Sequence, residues 1–195
     1  MTQSTFVEQV IEVASRLKEC VTTLKDAYAL VPGVIARENE AIASREFGLV
    51  TDACNAKEEI GDKIEAIFTN LMLTGERFGK LCSIQWPEKA RPTNLSQFKT
   101  ALTEIAEALG SDQFSTQVLS HVAQVFSAAV DEFFAVYLDV KPRIEANRYL
   151  VTHMMRNYQE SYRFWQEVGE QVAVSYNSHG VQKAAGRNSG FRAKA

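Results

Sequence analysis

The sequence predicts an all-α fold, an elongated antiparallel helical bundle with long, coiled-coil-like helices. Apolar residues recur in alternating steps of three and four over most of the chain, which is the spacing that places them on one face of a helix. Only four prolines and ten glycines interrupt the 195 residues. Stretches in which apolar and polar residues alternate, as they would in a strand, are few. Long rods packed side by side therefore suit the pattern best.

The first predicted helix covers about residues 4–43, with Thr2 or Ser4 as its N-cap. Its apolar stripe has the spacing of a heptad seam and comprises Val7, Val10, Ala14, Leu17, Val21, Leu24, Tyr28 and Val31. Pro32 and Gly33 interrupt the helix without ending the apolar spacing. Because proline removes one backbone hydrogen bond, we expect a kink at this position, with the helix resuming beyond it.

The second predicted helix covers about residues 45–73, after a break at Ser44. Its apolar face comprises Phe47, Val50, Cys54, Ile60, Ile64, Ile67, Phe68 and Leu71. From Thr74 to Asn94 the helical period is lost among two glycines and two prolines, so we predict a long connection. Within it, Trp86 is expected to fold back as a lid on one end of the bundle.

Three further helices are predicted, near residues 96–109, 115–140 and 142–176, with Lys141-Pro142 marking a boundary or a kink between the last two. The 115–140 helix has an apolar face suited to the core, comprising Val118, Val122, Val125, Phe126, Ala129, Phe133, Val136, Tyr137 and Val140. We therefore predict one helical-bundle domain over residues 1–176 and a flexible basic tail over residues 177–195, which either stays solvated or orders on binding a partner.

The last predicted helix carries an unusually wide apolar face of roughly 140°. Met, Tyr and Trp dominate this face, and such side chains tolerate repacking and carry polar tips to an interface. Tyr149 and Phe164 lie outside the sector. Two interpretations remain: the face is ordinary core, or part of it is a docking surface for another protein's helix. The candidate partner-binding residues are Tyr149, Tyr158, Tyr162, Phe164, Trp165, Val168 and Val172.

Charge and cysteine content narrow the classes of partner and compartment. The formal net charge is −3, and four basic residues with no acid lie in residues 177–195, so the rest of the chain is strongly acidic. An acidic body argues against nucleic acid as a partner. Cys20, Cys54 and Cys82 are odd in number and lie in helical patterns, so we expect small buried thiols in a reducing compartment. With no signal peptide or membrane span in the sequence, we expect a cytoplasmic protein.

Motifs for catalysis or metal binding are not found in the sequence. A di-iron site in a helical bundle needs paired Glu-x-x-His motifs, but the residues three before the histidines are Val118, Leu150 and Tyr176. No Cys or His pair has zinc spacing, and no glycine-rich turn joins a strand to a helix to hold phosphate. We therefore predict a protein that is not an enzyme and has no metal or cofactor.

Two stretches of the chain resemble the FlgN-type flagellar export chaperones. In residues 30–71, a helix, a short break and a second helix resemble the family's pattern, carried by Glu38, Ala41, Ile42, Ser44, Glu46, Leu49 and Lys57. In residues 146–180, Asn147-Arg148-Tyr149-Leu150 resembles the Asn-x-x-Leu segment of the family's last helix. Tyr176-Asn177-Ser178-His179-Gly180 resembles its Tyr-x-x-x-Gly exit.

The resemblance implies a cytoplasmic chaperone of flagellar type III protein export. Such a protein binds the C-terminal helical segments of the two hook-filament junction proteins, prevents premature assembly and delivers them to the flagellar export apparatus. The principal alternative is a non-catalytic helical-bundle or coiled-coil adaptor without an export client, and a third is a helical-bundle enzyme with a site scattered over facing helices. Helical periodicity does not separate chaperone from adaptor, because both need surplus apolar helix surface.

Overall fold

The computed structural model describes residues 3–44, 46–85, 91–108 and 113–175, with side chains described between residues 4 and 169 apart from Phe47, Gln85 and 113–116. All secondary structure in these residues is helical. The four helices are α1 (Gln3–Ser44), α2 (Phe47–Gln85), α3 (Leu95–Ala108) and α4 (Gln113–Ser175). The prediction of an all-α helical bundle is confirmed. The chain separates into two compact units, residues 1–145 and 146–195.

All four helices contribute side chains to one core within the first unit. The predicted stripe of α1 is buried as far as Leu24, and Tyr28 and Val31 are half-buried. The largest side chains that are fully buried in this core are Phe6, Leu17, Phe78, Leu102, Ile105, Leu119 and Phe126. Since each of these aromatic or aliphatic side chains stabilises the fold by about 1.5–3 kcal/mol when it leaves water, the core provides the main driving force for folding.

α1 and α2 form an antiparallel hairpin. Near the turn, Lys57 Nζ of α2 donates to both carboxylate oxygens of Glu38 in α1, at 2.9 and 2.7 Å. Farther from the turn, the Cys20 thiol of α1 hydrogen-bonds with Thr74 of α2, and burial raises the pKa of that thiol, with the charge of Glu19 adding to the shift. Glu38 is only 4% exposed, so its charge depends on the Lys57 ammonium in place of water.

α4 joins the core through contacts with α1 and α3. Lys25 Nζ of α1 lies 2.7 Å from Glu132 Oε2 of α4, and this hydrogen bond raises the pKa of Lys25. The Tyr28 ring packs edge-on against the rings of Phe133 and Tyr137, with centroids 5.8 and 5.6 Å apart. Burial raises the pKa of the Tyr28 phenol. The aromatic contacts thus continue the α1 seam where its aliphatic stripe ends.

α3 and α4 run antiparallel. Lys99 Nζ donates to both carboxylate oxygens of Asp131 at 2.9 Å. Later in α3, Glu107 shares a groove with Ser120, which precedes Asp131 in α4. α3 begins with a reciprocal cap, in which Gln97 N–H donates to Asn94 Oδ1 at 2.9 Å and Thr93 N–H donates to Gln97 Oε1 at 2.8 Å. The pair of bonds resembles a capping box, except that Gln97 reaches back to Thr93, one residue before the N-cap Asn94, and it fixes the start of the helix.

The long connection predicted from Thr74 is wrong over its first part, since α2 continues to Gln85. Leu71, Thr74, Phe78 and Cys82 keep the helical spacing, and all four are buried. The two glycines in this stretch concealed that period. Gly75 is required by packing: a Cβ there would lie 2.6 Å from Cζ of Phe98, whose ring meets Phe78 edge-on. Trp86, predicted to be a lid, lies outside the described residues.

Two side chains predicted on the buried face of α2 are exposed. Cys54 is exposed, although Cys20 and Cys82 are buried as predicted, and Phe68 is 52% exposed. Each follows by one residue a position that packs inward, Ala53 in one case and Ile67 in the other. One residue is a rotation of about 100° around a helix, which is enough to turn a side chain from the core to solvent.

Neither internal proline ends a helix. α1 continues through Pro32 to Ser44, as predicted. Of the boundary or kink predicted at Lys141-Pro142, the boundary is wrong, because α4 runs without a break from Gln113 to Ser175 with Pro142 inside it. A proline removes one backbone hydrogen bond from a helix but leaves the other bonds on either side to maintain it. The residues of the predicted tail, 177–195, lie outside the described residues.

Candidate protein-binding helix

The second compact unit contains the C-terminal part of α4, in which the side chains of residues 146–169 are described. We call residues 146–169 the binding helix. Its apolar face lies in one sector of roughly 140°. This face comprises Leu150, Val151, Met154, Met155, Tyr158, Tyr162, Trp165 and Val168. The opposite side carries the charged residues, so the helix is strongly amphipathic.

The described residues leave most of this apolar face uncovered. Trp165 is 67% exposed, Tyr162 65% and Tyr158 64%, and Met155 and Leu150 are exposed as well. Val151, Met154 and Val168 are half-buried. Isolated exposed apolar side chains are common on protein surfaces, but a contiguous apolar strip of this length is characteristic of an interaction site. Within the described residues, this exposure is what the docking interpretation requires, whereas an ordinary core would require burial.

The two aromatic residues outside the sector are exposed too. Tyr149 is 68% exposed and packs on the imidazole of His153, with ring centroids 4.5 Å apart. Phe164 is 53% exposed and meets Trp165 edge-on at 5.5 Å. Because the Phe164 ring supports one side of the indole, the two rings form a single aromatic ridge that extends from the middle of the apolar face to just beyond its Val168 edge.

Six of the seven candidate partner-binding residues therefore have a described position. Tyr158, Tyr162, Trp165 and Val168 share the apolar face. Phe164 borders this face, whereas Tyr149 lies about 100° beyond Leu150, on the opposite side of the helix. The side chain of Val172 lies outside the described residues. Met155 and Leu150 were not among the candidates, yet they are exposed on the same face. Their helical spacing was visible in the sequence, and only their exposure distinguishes them from core residues.

Charged side chains are distributed unevenly around the binding helix. At about 100° per residue, Arg148 lies about 20° beyond Met155, whereas Arg163, Arg156 and Glu167 lie within about 40° of one another on the side opposite the apolar face. Arg156 Nε donates to Glu160 Oε1 at 3.0 Å across the polar face. Both members of this pair are exposed, so the pair contributes only about 0.3–0.5 kcal/mol to the helix. In this pair, the charges of Arg156 and Glu160 compensate each other within the helix.

Among the described residues, no group of three or more His, Cys, Asp or Glu side chains could hold a metal ion. None of the described helices is both long enough and apolar enough to cross a membrane. A groove of about 580 Å³ in the first unit lies between α1 and α2 and is lined by both polar and apolar side chains, Arg16, Cys20, Asn70, Thr74 and Arg77 among them. The exposed binding helix is thus the strongest candidate for a functional site.

No protein-family model matches the chain, and comparison with curated proteins and with solved structures found no significant match either.

Proposed function

We propose that this protein is a cytoplasmic flagellar type III export chaperone of the FlgN type, and that the binding helix holds its client. The clients are the C-terminal helical segments of the hook-filament junction proteins. The chaperone keeps these segments from assembling prematurely and delivers them to the flagellar export apparatus. The observation that supports this proposal most directly is the exposed apolar face that runs from Leu150 to Val168.

The chemistry of this face suits an assembly segment. Such a segment is amphipathic and disordered before assembly, and it can fold as a helix against an apolar surface. Aromatic and Met side chains accept clients of differing shape, because thioethers repack easily and large rings make wide contacts with few rotatable bonds. One surface of this kind could therefore serve two clients whose sequences differ.

The first unit supplies the scaffold in this proposal. Its core is built from all four helices, and the Glu38–Lys57 pair ties α1 to α2. Both residues belong to the stretch that resembles the FlgN-type pattern, and their pairing gives a physical reason for a mid-helix lysine in the second helix. A nearly buried carboxylate stabilises the hairpin only when a cation compensates its charge.

The test is a direct binding measurement with C-terminal segments of the two junction proteins from the same genome. We expect both segments to bind the full chain, and we expect Trp165→Ala to weaken binding by about 2 kcal/mol because large aromatic anchors dominate such interfaces. Lys18→Ala, an exposed residue of α1, is the matched control and should bind normally. If neither segment binds, the result favours the alternative function, an adaptor without an export client.

A further inference from the structure

The short helix α3 covers only part of the surface that α2 and α4 offer it. Phe98 of α3 packs against Phe78 of α2, and Lys99 pairs with Asp131 of α4. α1 runs antiparallel to α2 and parallel to α4, so lower numbers in α2 and higher numbers in α4 both lead beyond the start of α3. Because α3 has 14 residues and α2 has 39, part of this surface has no described helix on it.

Three glycines on one side of α2 show where this cover stops. At about 100° per residue, Gly61, Gly75 and Gly79 lie within about 40° of one another. A Cβ at Gly75 would lie 2.6 Å from the Phe98 ring, and one at Gly79 would lie 3.6 Å from the backbone oxygen of Pro92. A Cβ at Gly61 would meet no atom within 4 Å. The same side of α2 is therefore covered at Gly75 and Gly79 and open at Gly61.

Large apolar side chains of α2 are exposed on this open side. Phe68 and Met72 lie about 20° to either side of Gly61 around the helix, and both are exposed. Met72 lines a pocket with residues 91–93, which lead into α3. Phe68 lies about one turn farther from α3. The apolar surface of α2 thus continues beyond the point where α3 begins.

The facing part of α4 has the same character. Phe134 is exposed and shares a groove with Ser96, near the start of α3. Leu138 lies about one turn farther along, within about 40° of Phe134 around the helix, and is 66% exposed. A helix that continued the line of α3 would therefore contact α2 and α4 together. We call this surface the open groove, and it comprises Gly61, Phe68, Met72, Phe134 and Leu138.

The α2 border of the open groove is acidic. Glu65 and Glu58 lie about 20° and 40° beyond Met72 around the helix, and Asp62 lies about 80° beyond it. All three acids are exposed, and none makes an ion pair with a residue that the structure describes. No base lies three or four residues from any of them in the sequence. Their negative charge is therefore not compensated within the helix.

The α4 border of the open groove is balanced in charge. Lys141, about one turn beyond Leu138, lies 4.0 Å from Glu145 in its own helix. Asp131 is held by Lys99 of α3. The groove is thus apolar between its borders, acidic along α2 and neutral along α4.

We propose that the open groove binds a short amphipathic helix of another protein, which carries lysines or arginines on the border that meets Glu58, Asp62 and Glu65. α3 is the pattern for such a helix, because it buries Phe98 in the same surface and pairs Lys99 with an acid at its edge. The apolar contacts supply affinity, and the acidic border selects the charge of the partner. The open groove uses no residue of the binding helix, so this inference goes beyond the function proposed above and stands independently of it.

Two other occupants have less of the required chemistry. The predicted tail, residues 177–195, has four basic residues, but Val181 and Phe191 are its only large apolar side chains, and two such residues build no apolar stripe. A second copy could offer its binding helix. Arg148 is the only base within about 40° of either border of that apolar face. One base does not match three acids.

The experiment uses two synthetic amphipathic peptides, each about five helical turns long, as probes against the full chain. They share one apolar stripe and differ at three border positions, spaced like the acids of α2, where one carries Lys and the other Glu. We expect the Lys peptide to bind roughly tenfold more tightly at low salt, with a smaller ratio at high salt because exposed charges are screened. Glu58→Gln combined with Glu65→Gln should remove most of this preference. The matched control on the far side of α2, Asp52→Asn combined with Glu59→Gln, should keep it.

A second pair of substitutions locates the site. Phe68→Ser combined with Leu138→Ser should weaken the binding of both peptides about tenfold, because these side chains form the apolar surface of the groove. Both residues are exposed, so circular dichroism should show an unchanged helical content. Trp165→Ala, on the binding helix, should leave the affinity of both peptides unchanged.

Four results would overturn the proposal. Equal binding of the two peptides would refute the basic partner, and binding of neither would refute the open groove as a site. Binding that Trp165→Ala abolishes and the Phe68 and Leu138 variant retains would place the peptides on the binding helix, and the function proposed above would stand. Concentration-dependent dimerisation that the Phe68 and Leu138 variant abolishes would assign the groove to a second copy.

Discussion

The first part of α1 and the binding helix carry apolar stripes of similar length, yet they meet opposite environments. From Phe6 to Leu24 every stripe position of α1 is buried, and Val10, Ala14, Leu17 and Val21 have no exposed surface. On the binding helix, Tyr158, Tyr162 and Trp165 each retain about two thirds of their surface. The difference teaches that a helical period predicts an apolar face, whereas neighbouring helices decide whether the face is covered.

The composition of the two stripes agrees with this difference. The α1 stripe is built from Val, Ala and Leu, whose compact shapes interlock at the density of a protein interior. The binding helix uses Met, Tyr and Trp, and the Tyr and Trp side chains have polar groups that remain hydrated when the partner is absent. A face of this kind suits a surface that is alternately free and occupied.

The largest expected effect comes from truncating one aromatic residue in each region. Phe78→Ala removes a fully buried ring of the α1–α2–α3 core and should lower the free energy of unfolding by about 3–5 kcal/mol. Trp165→Ala should change it by less than about 0.5 kcal/mol, because the indole is exposed. Denaturant titration followed by circular dichroism measures both. A comparable loss in the two variants would show that the binding helix is covered within the chain.

A smaller effect is expected from adding one methyl group in each region. Gly75→Ala places a Cβ 2.6 Å from the buried Phe98 ring and should destabilise the protein by about 1–3 kcal/mol. Gly169→Ala meets no atom within 4 Å and should increase helix stability by up to about 1 kcal/mol. Thermal unfolding and helicity at 222 nm report these changes. Combining Gly75→Ala with Phe98→Leu should recover part of the loss, and no recovery would locate the strain elsewhere.

The smallest effect on the protein itself is a difference in thiol reactivity. Cys54 is exposed and should react quickly with iodoacetamide, whereas the buried Cys20 and Cys82 should react only when the core opens. The raised pKa of the Cys20 thiol slows its reaction further, since the thiolate is the reactive form. Tyr158→Cys should add a second fast site, which a bound client peptide protects. Mass spectrometry of tryptic peptides identifies each thiol, and slow labelling at position 158 without client would contradict an open face.

Most of the fold was predictable because local sequence determines it. The α1 stripe, the break after Ser44 and the short α3 all follow from helical period and capping chemistry, which act within a few residues. The errors occurred where a distant residue decides the outcome. Gly75 and Gly79 predict a break in α2, but the helix continues through both to Gln85, and the Phe98 ring of α3 fills the space beside Gly75.

The candidate site was predictable in position and only partly in composition. The wide Met and aromatic face of the last helix, and the off-sector Tyr149 and Phe164, follow from the sequence and the helical period. That Met155 and Leu150 belong to the exposed surface does not follow, because their spacing is that of core residues.

The sequence by itself determined the helical class, the apolar faces and the uneven charge, because each depends on residue identity and on the 3.6-residue period. The tertiary structure decided which faces are covered, which acids and bases meet, and which glycines are required. These depend on side chains that are distant in sequence, such as Glu38 with Lys57 and Lys25 with Glu132. Whether a side chain is buried depends on the residues packed against it, and the apolar period of one helix does not specify which residues those are.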